Sequence, residues 1–208
     1  MQTNIEVANS ALYDINVDPI TSFDDPSKAA RVLKAKFQGV LNEVMGTNPW
    51  NCNRELTLMN YASVNNLFGW KYAFLIPNDC LYVRAVVPLE DISVLTPETL
   101  KRFTEYSMNQ TTSQLYMKKG KIIYANEPHM LLVYSRIIKD CSELPTYITK
   151  VISKCLASEI AYALTQDRQI RADQLSLYDM ALRTARAANA REENVYVPVS
   201  SLITARGG

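Results

Sequence analysis

The stretch from Asn48 to Val87, NPWNCNRELTLMNYASVNNLFGWKYAFLIPNDCLYVRAVV, holds both tryptophans and the one clear change from a helical to an alternating hydrophobic pattern. Helical periodicity lies on both sides of it, so neither an all-α nor an all-β layering accommodates the chain, and an α+β fold follows. Within the stretch Trp70, Tyr72, Phe74 and Ile76 alternate with Lys71, Ala73 and Leu75, the period of a strand with one buried face. Pro77, Asn78 and Asp79 then form a turn, because proline presets φ and the two short polar side chains bond their own backbone. Leu81, Val83, Ala85 and Val87 resume the alternation, which predicts a β-hairpin or a pair of neighbouring strands.

Upstream, Ile5, Ala8, Ala11, Leu12 and Ile15 recur at helical spacing over residues 5–15, and Asn16 stands where a left-handed C-cap belongs. A loop through Pro19 reaches Asp24, Asp25 and Pro26, an acid-then-proline signature that places the next helix start there. From Ser27 to Met45, Ala30, Leu33, Phe37, Val40, Leu41 and Val44 form one stripe, and Gly46 supplies a stop. Lys28, Arg31, Lys34 and Lys36 lie off that stripe, either as a binding face or as a solvated surface.

Downstream, residues 96–113 are polar and contain a short helical pattern from Pro97 to Tyr106. Strand patterns return at Gln114 to Met117, Ile122 to Ala125 and Met130 to Ile138, separated by turns at Lys118 to Gly120 and Asn126 to Pro128. Four or five strands in one antiparallel sheet are expected. Pro145 opens a helix with the apolar face Ile148, Val151, Ile152, Cys155, Leu156, Ile160, Ala163 and Leu164. After a break at Gln166 to Gln169, a last helix over Ala172 to Glu193 presents Leu175, Tyr178, Ala181, Leu182, Ala185 and Ala188 inward, and Arg183, Arg186 and Arg191 outward. Pro198 then blocks helix continuation in an apolar run, so residues 195–208 read as an extended arm that covers a surface or as a frayed terminus. The expected architecture is a mainly α-helical bundle from residues 1–47 and 145–194, an inserted antiparallel β-subdomain over 48–144, and an extended C-terminal arm over 195–208.

Reactive groups do not converge in this sequence. The six glycines are scattered, which excludes a phosphate cradle built from several close backbone approaches. Cys52, Cys80, Cys141 and Cys155 form no CxxC, and His129 has no partner at ligand spacing, so reduced thiols and no metal are expected. The acidic pairs Asp24/Asp25 and Glu90/Asp91 sit in loops where capping and solvation explain them. With 22 basic and 21 acidic residues the chain carries no field that would mark a dedicated nucleic-acid binder, although local phosphate contacts through Lys101 and Arg102 or the last-helix arginines remain open. No run approaches a membrane span and no basic-then-apolar leader opens the chain, so synthesis in the cytosol and no membrane partner are expected. No catalytic residue and no cofactor is assigned.

Five segments, in order, resemble the head-to-tail connector or adaptor proteins of tailed phages, especially the tail tubular protein A type of short-tailed phages and related packaged-DNA stabilisation adaptors. They are VANSALYDINVDPITSFDD, SKAARVLKAKFQGVLNEVM with the following NPW, FGWKYAFLIPNDCLYVRAV, LPTYITKVISKCLASEIAYALTQD, and QLSLYDMALRTARAANARE. The family's usual glycine after the first helix is Asn16 here, and after Trp50 its usual Phe and Ala are Asn51, Cys52 and Asn53.

The resemblance implies a virion protein of the tail or neck, with neighbouring copies in a ring, usually a dodecamer, beneath the portal. It implies no enzymatic task, transient contact with genomic DNA in the channel, and the portal protein and a tail nozzle or other tail protein as partners. Within that frame Val195, Tyr196, Val197, Val199, Leu202 and Ile203 are expected to bind the portal. Arg183, Arg186 and Arg191 are expected to contact DNA or a neighbouring subunit, and Pro77, Asn78 and Asp79 to form a tip on the tail side. A DNA-binding protein using the basic face of the last helix is the alternative, and a cell-wall hydrolase a third reading with no motif behind it.

Overall fold

The structure, a computed structural model, describes residues 2–64, 69–89 and 116–192. Among the described residues it is mixed α+β, with four α-helices and two antiparallel sheets. The expected helix at 97–106, the acidic pair Glu90/Asp91, the Lys101/Arg102 pair and the arm with Val195, Tyr196, Val197, Val199, Leu202 and Ile203 lie outside the described residues.

Helix α1 (Asn4–Asp14) starts in a capping box: Thr3 Oγ1 accepts the Glu6 N–H at 3.3 Å, and the Glu6 carboxylate accepts the Thr3 N–H at 2.7 Å. It ends in a Schellman motif, with the Val17 N–H on the Leu12 carbonyl and the Asn16 N–H on the Tyr13 carbonyl. Asn16 takes φ 56°, the left-handed conformation its position predicts. Helix α2 (Lys28–Gly46) is capped by Ser27, whose hydroxyl accepts the Ala30 N–H. The acidic pair does not start it. Asp25 turns backwards to accept the Thr21 and Ser22 N–H groups, which close the preceding loop.

Helix α3 (Thr146–Thr165) packs against α1, α2 and the last helix, and so forms the axis of the helical core. Ile148, Val151, Ile152, Leu156 and Ile160 are fully buried, each side chain contributing roughly 1.5–3 kcal/mol. The apolar face stops short of its expected end: Ala163 is exposed and Leu164 half-buried. Gln166, at φ 59°, ends the helix, and the Asp167 carboxylate caps the next one by accepting the Gln169 N–H at 2.7 Å. That cap lets α4 (Arg168–Glu192) begin a turn earlier than its apolar pattern does.

The β region differs from the single sheet expected. β1 (Arg54–Leu58), β7 (His129–Arg136) and β4 (Cys80–Leu89) form one sheet in that order, with β7 central. β2 (Asn60–Tyr61), β3 (Tyr72–Leu75), β6 (Ile122–Ala125) and β5 (Tyr116–Lys119) form the other. β3 and β4 are therefore no hairpin. β3 pairs with β6 (Phe74 opposite Ile123) and β4 pairs with β7 (Val86 opposite Leu132), so the Pro77–Asp79 turn carries the chain between sheets. The Asn126–Pro128 turn does the same between β6 and β7. Phe74, Ile123 and Ala125 from one sheet meet Val86, Met130, Leu132 and Tyr134 from the other in a second core.

Two register shifts in β4 also split the face expected of Leu81, Val83, Ala85 and Val87: Leu81 packs on the helical core and Val83 on the β core. Trp70 lies before β3 and is half-buried. The two-residue turn between β5 and β6 has Gly120 at φ 60°, the position where a type II′ hairpin needs glycine.

Between the layers Trp50 is completely buried in the helical core and donates its indole N–H to the Val44 carbonyl at the end of α2. Ile138, Cys141 and Leu144 return the chain from β7 to the same core.

Candidate interaction surface

The last helix buries Gln174, Tyr178, Leu182, Ala185 and Asn189, a stripe displaced from the expected one. Leu175 is half exposed and two polar residues take core positions because each satisfies backbone at a chain junction. Gln174 Nε2 donates to the Asp14 carbonyl at the end of α1, at 2.9 Å. Asn189 Oδ1 accepts the Asn51 N–H at 2.8 Å, while the Asn51 amide donates to the Asn189 carbonyl at 3.0 Å.

This rotation leaves apolar side chains on the flank of α4 that faces α3. Leu177 is 40% and Met180 62% exposed, and with Ala181 and Thr184 they form one wall of a groove of about 380 Å³. Tyr147, Lys150 and Lys154 of α3 form the other. Tyr147 closes one end by donating its hydroxyl to the Glu192 carboxylate at 2.6 Å, and burial together with that carboxylate pushes its phenol well above the ordinary tyrosine value. Lys154 is held at the groove floor by Asp14, at 2.7 Å.

Arg183, Arg186 and Arg191, three of the five arginines of α4, are all exposed. At about 100° per residue Arg186 and Arg191 are roughly 140° apart around the helix. Arg186 reaches the Thr47 carbonyl just beyond α2, at 3.4 Å, where a cation complements the helix dipole. Of the α2 cations, Lys34 pairs with Asp24 at 2.6 Å and Lys36 with Glu159 at 3.0 Å. Lys28 and Arg31 border a shallow apolar depression closed by Val32 and Ala163.

Pro77, Asn78 and Asp79 form a braced turn between the two sheets, with Asn78 and Asp79 exposed. The Asp79 carbonyl accepts the Ile137 N–H at 2.7 Å, its carboxylate accepts the Tyr134 hydroxyl, and Asn78 Oδ1 accepts Lys121 Nζ at 3.2 Å. Ile138, the next residue after Ile137, belongs to the helical core.

A concavity of about 390 Å³ lies between Thr47–Pro49 and β4. Arg84, at its edge, is a structural clamp: Nε donates to Ser135 Oγ at 2.7 Å, and Nη2 donates to Asn53 Oδ1 at 2.7 Å and to the Trp50 carbonyl. Burial lowers its pKa. All four thiols are free, and burial raises Cys52 to about 11 and Cys141 and Cys155 to about 12. Among the described residues no three His, Cys, Asp or Glu side chains come together to hold a metal, and no helix is long and apolar enough to cross a membrane. His129 opens β7 opposite Leu89.

No protein-family model matches this chain, and no curated protein matches it. The groove between α3 and α4 is the feature the sequence pattern missed. Its signal was present: Leu177 and Met180 fall off any stripe that contains Tyr178 and Leu182, so a core-facing helix leaves them outside.

Proposed function

We propose that this chain is a head-to-tail adaptor of a tailed phage, a structural virion protein that forms a ring between the portal and the tail nozzle. In that role it extends the DNA channel and helps retain packaged DNA, without a catalytic step. The observation that carries the reading is the order of the described elements: two helices, a β insertion and two helices follow one another as the five resembling segments do. The helical layer acts as the bundle that packs side by side around the ring. Its exposed large apolar side chains, Tyr13 at 66%, Tyr162 at 47% and Leu175 at 50%, suit contacts between copies, where covering the open half of each contributes about 1 kcal/mol.

The arm with Val195, Tyr196, Val197, Val199, Leu202 and Ile203 docks on the portal, and ordering it costs roughly 1–2 kcal/mol per residue of backbone, so docking needs a shaped partner surface. Arg183, Arg186 and Arg191, exposed on α4, contact DNA or a neighbouring subunit in this reading.

Sedimentation velocity of the chain alone and with the portal protein encoded beside it tests the reading. A shift onto the portal at a fixed multiple of the 23.5 kDa chain is expected. A chain that sediments unchanged beside the portal overturns it.

A further inference from the structure

A second seam runs along α4, away from the buried stripe of Tyr178, Leu182 and Ala185. Asp173, Leu177, Met180, Thr184, Ala187 and Arg191 follow one another in steps of four and three, the spacing that keeps one face of a helix on a partner helix. All of them are exposed, Leu177 at 40% and Met180 at 62%. The seam is open, as is the groove that Leu177, Met180 and Thr184 share with α3. We propose that α4 of a second copy lies antiparallel on this seam and makes a two-fold dimer of the free chain.

The seam positions are symmetric about residue 182, so an antiparallel copy matches every one of them. Met180 of one copy falls on Thr184 of the other and Leu177 on Ala187, large side chain against small at each step. The ends carry opposite charge. Asp173 of each copy falls beside Arg191 of the other, which places an ion pair at both ends of a contact about 27 Å long. Asp173 accepts the Gln169 side-chain amide at 2.9 Å, and among the described residues neither Asp173 nor Arg191 has an ion-pair partner within its own chain. A parallel arrangement sets acid on acid and base on base, so charge fixes the direction. Leu177 and Met180 are the large apolar side chains each copy brings, and the pairing belongs with small, weak interfaces. A two-fold contact closes at two copies, so it is distinct from the side-by-side contacts of a ring and does not rest on the adaptor reading.

Sedimentation velocity of the full chain from about 1 to about 300 µM, without any portal, tests this. The mass is expected to rise from 23.5 kDa toward twice that value and to stop there. Met180→Glu should weaken association at least about tenfold, and so should Arg191→Asp, which sets acid against acid at both ends. Arg191→Asp combined with Asp173→Arg should restore it, because the exchange re-forms both pairs. These side chains are exposed, so the fold tolerates the changes, and circular dichroism should show unaltered helix content. A chain that stays at 23.5 kDa throughout overturns the proposal. So does growth past two copies, so does a dimer indifferent to Met180→Glu, and so does a double exchange that fails to restore association. Because the portal is absent, failure here leaves the adaptor reading standing.

Discussion

Replacing Arg84 by methionine tests whether one guanidinium joins the two halves of the fold. Methionine keeps most of the stem and the hydrophobic contact but supplies no donor. Ser135 Oγ, Asn53 Oδ1 and the Trp50 carbonyl would each lose the hydrogen that Arg84 gives them, and Ser135 and Asn53 are fully buried, so water does not replace it. Hydrogen bonds from a charged donor contribute about 1.5–3 kcal/mol each, so the gross loss is on the order of 5–9 kcal/mol. Against this stands the cost of burying the cation. Nη1 has no partner and, among the described residues, no carboxylate contacts the group, so its removal returns several kcal/mol. The net expectation is a destabilisation of about 3 kcal/mol, or roughly 6–12 °C in melting temperature for a chain of this size. Thermal and urea unfolding followed by circular dichroism measure it. Arg84→Lys, which keeps the charge but not the fork, should fall between. If Arg84→Met melts at or above the temperature of the unaltered protein, the burial cost outweighs the three bonds and the clamp is no source of stability.

Asn16 holds the left-handed end of α1, so Asn16→Val should cost about 1–2 kcal/mol in urea unfolding while Asn16→Gly stays neutral or gains slightly; equal effects would show that backbone conformation is not what the position selects. The backbone N–H groups of Thr21 and then Ser22 hold the Asp25 carboxyl below its ordinary 3.8. A depressed folded pKa gives stability that is fully present above the ordinary value and is lost as pH falls through the folded one. Asp25→Asn should therefore lower the melting temperature at about pH 6 and converge with the unaltered protein as pH falls past the ordinary value and through the lowered one, whereas a gap independent of pH would refute the assignment. Buried Cys141 and Cys155, pushed up to about 12, should resist a thiol reagent at neutral pH while all four cysteines react in denaturant; fast native labelling of either would place it outside the core.

Local rules carried far in this chain. Thr3, Ser27, Asn16 and Gln166 act at helix ends through hydrogen bonds with residues a few positions away, and such bonds are written in adjacent letters. Strand existence was legible for β3, β4, β6 and β7, but β1 and β2 were not, because Arg54–Leu58 and Asn60–Tyr61 keep half-buried or exposed sides and lack a clean alternation. Sheet membership was not legible at all. A turn such as Pro77–Asp79 looks the same whether the next strand folds back or crosses to another layer, and only the distant partners Ile123 and Leu132 decide. The same holds on α4, where Gln174 and Asn189 displace Leu175 from the core because their bonding partners, the Asp14 carbonyl and Asn51, lie more than a hundred residues away.

The helical core also sets a schedule for synthesis. Helices α1 and α2 bury their stripes on α3, yet about a hundred residues separate the end of α2 at Gly46 from the start of α3 at Thr146. At roughly 5–20 residues per second a ribosome needs on the order of 5–20 s to deliver that partner. During this interval Leu33, Phe37, Leu41 and Met45 have no α3 to rest on, and the growing chain offers a holdase a greasy amphipathic helix. Codon pace across residues 47–145 thus becomes a control on soluble yield, and the burden falls on the nascent chain while the finished protein shows none of it.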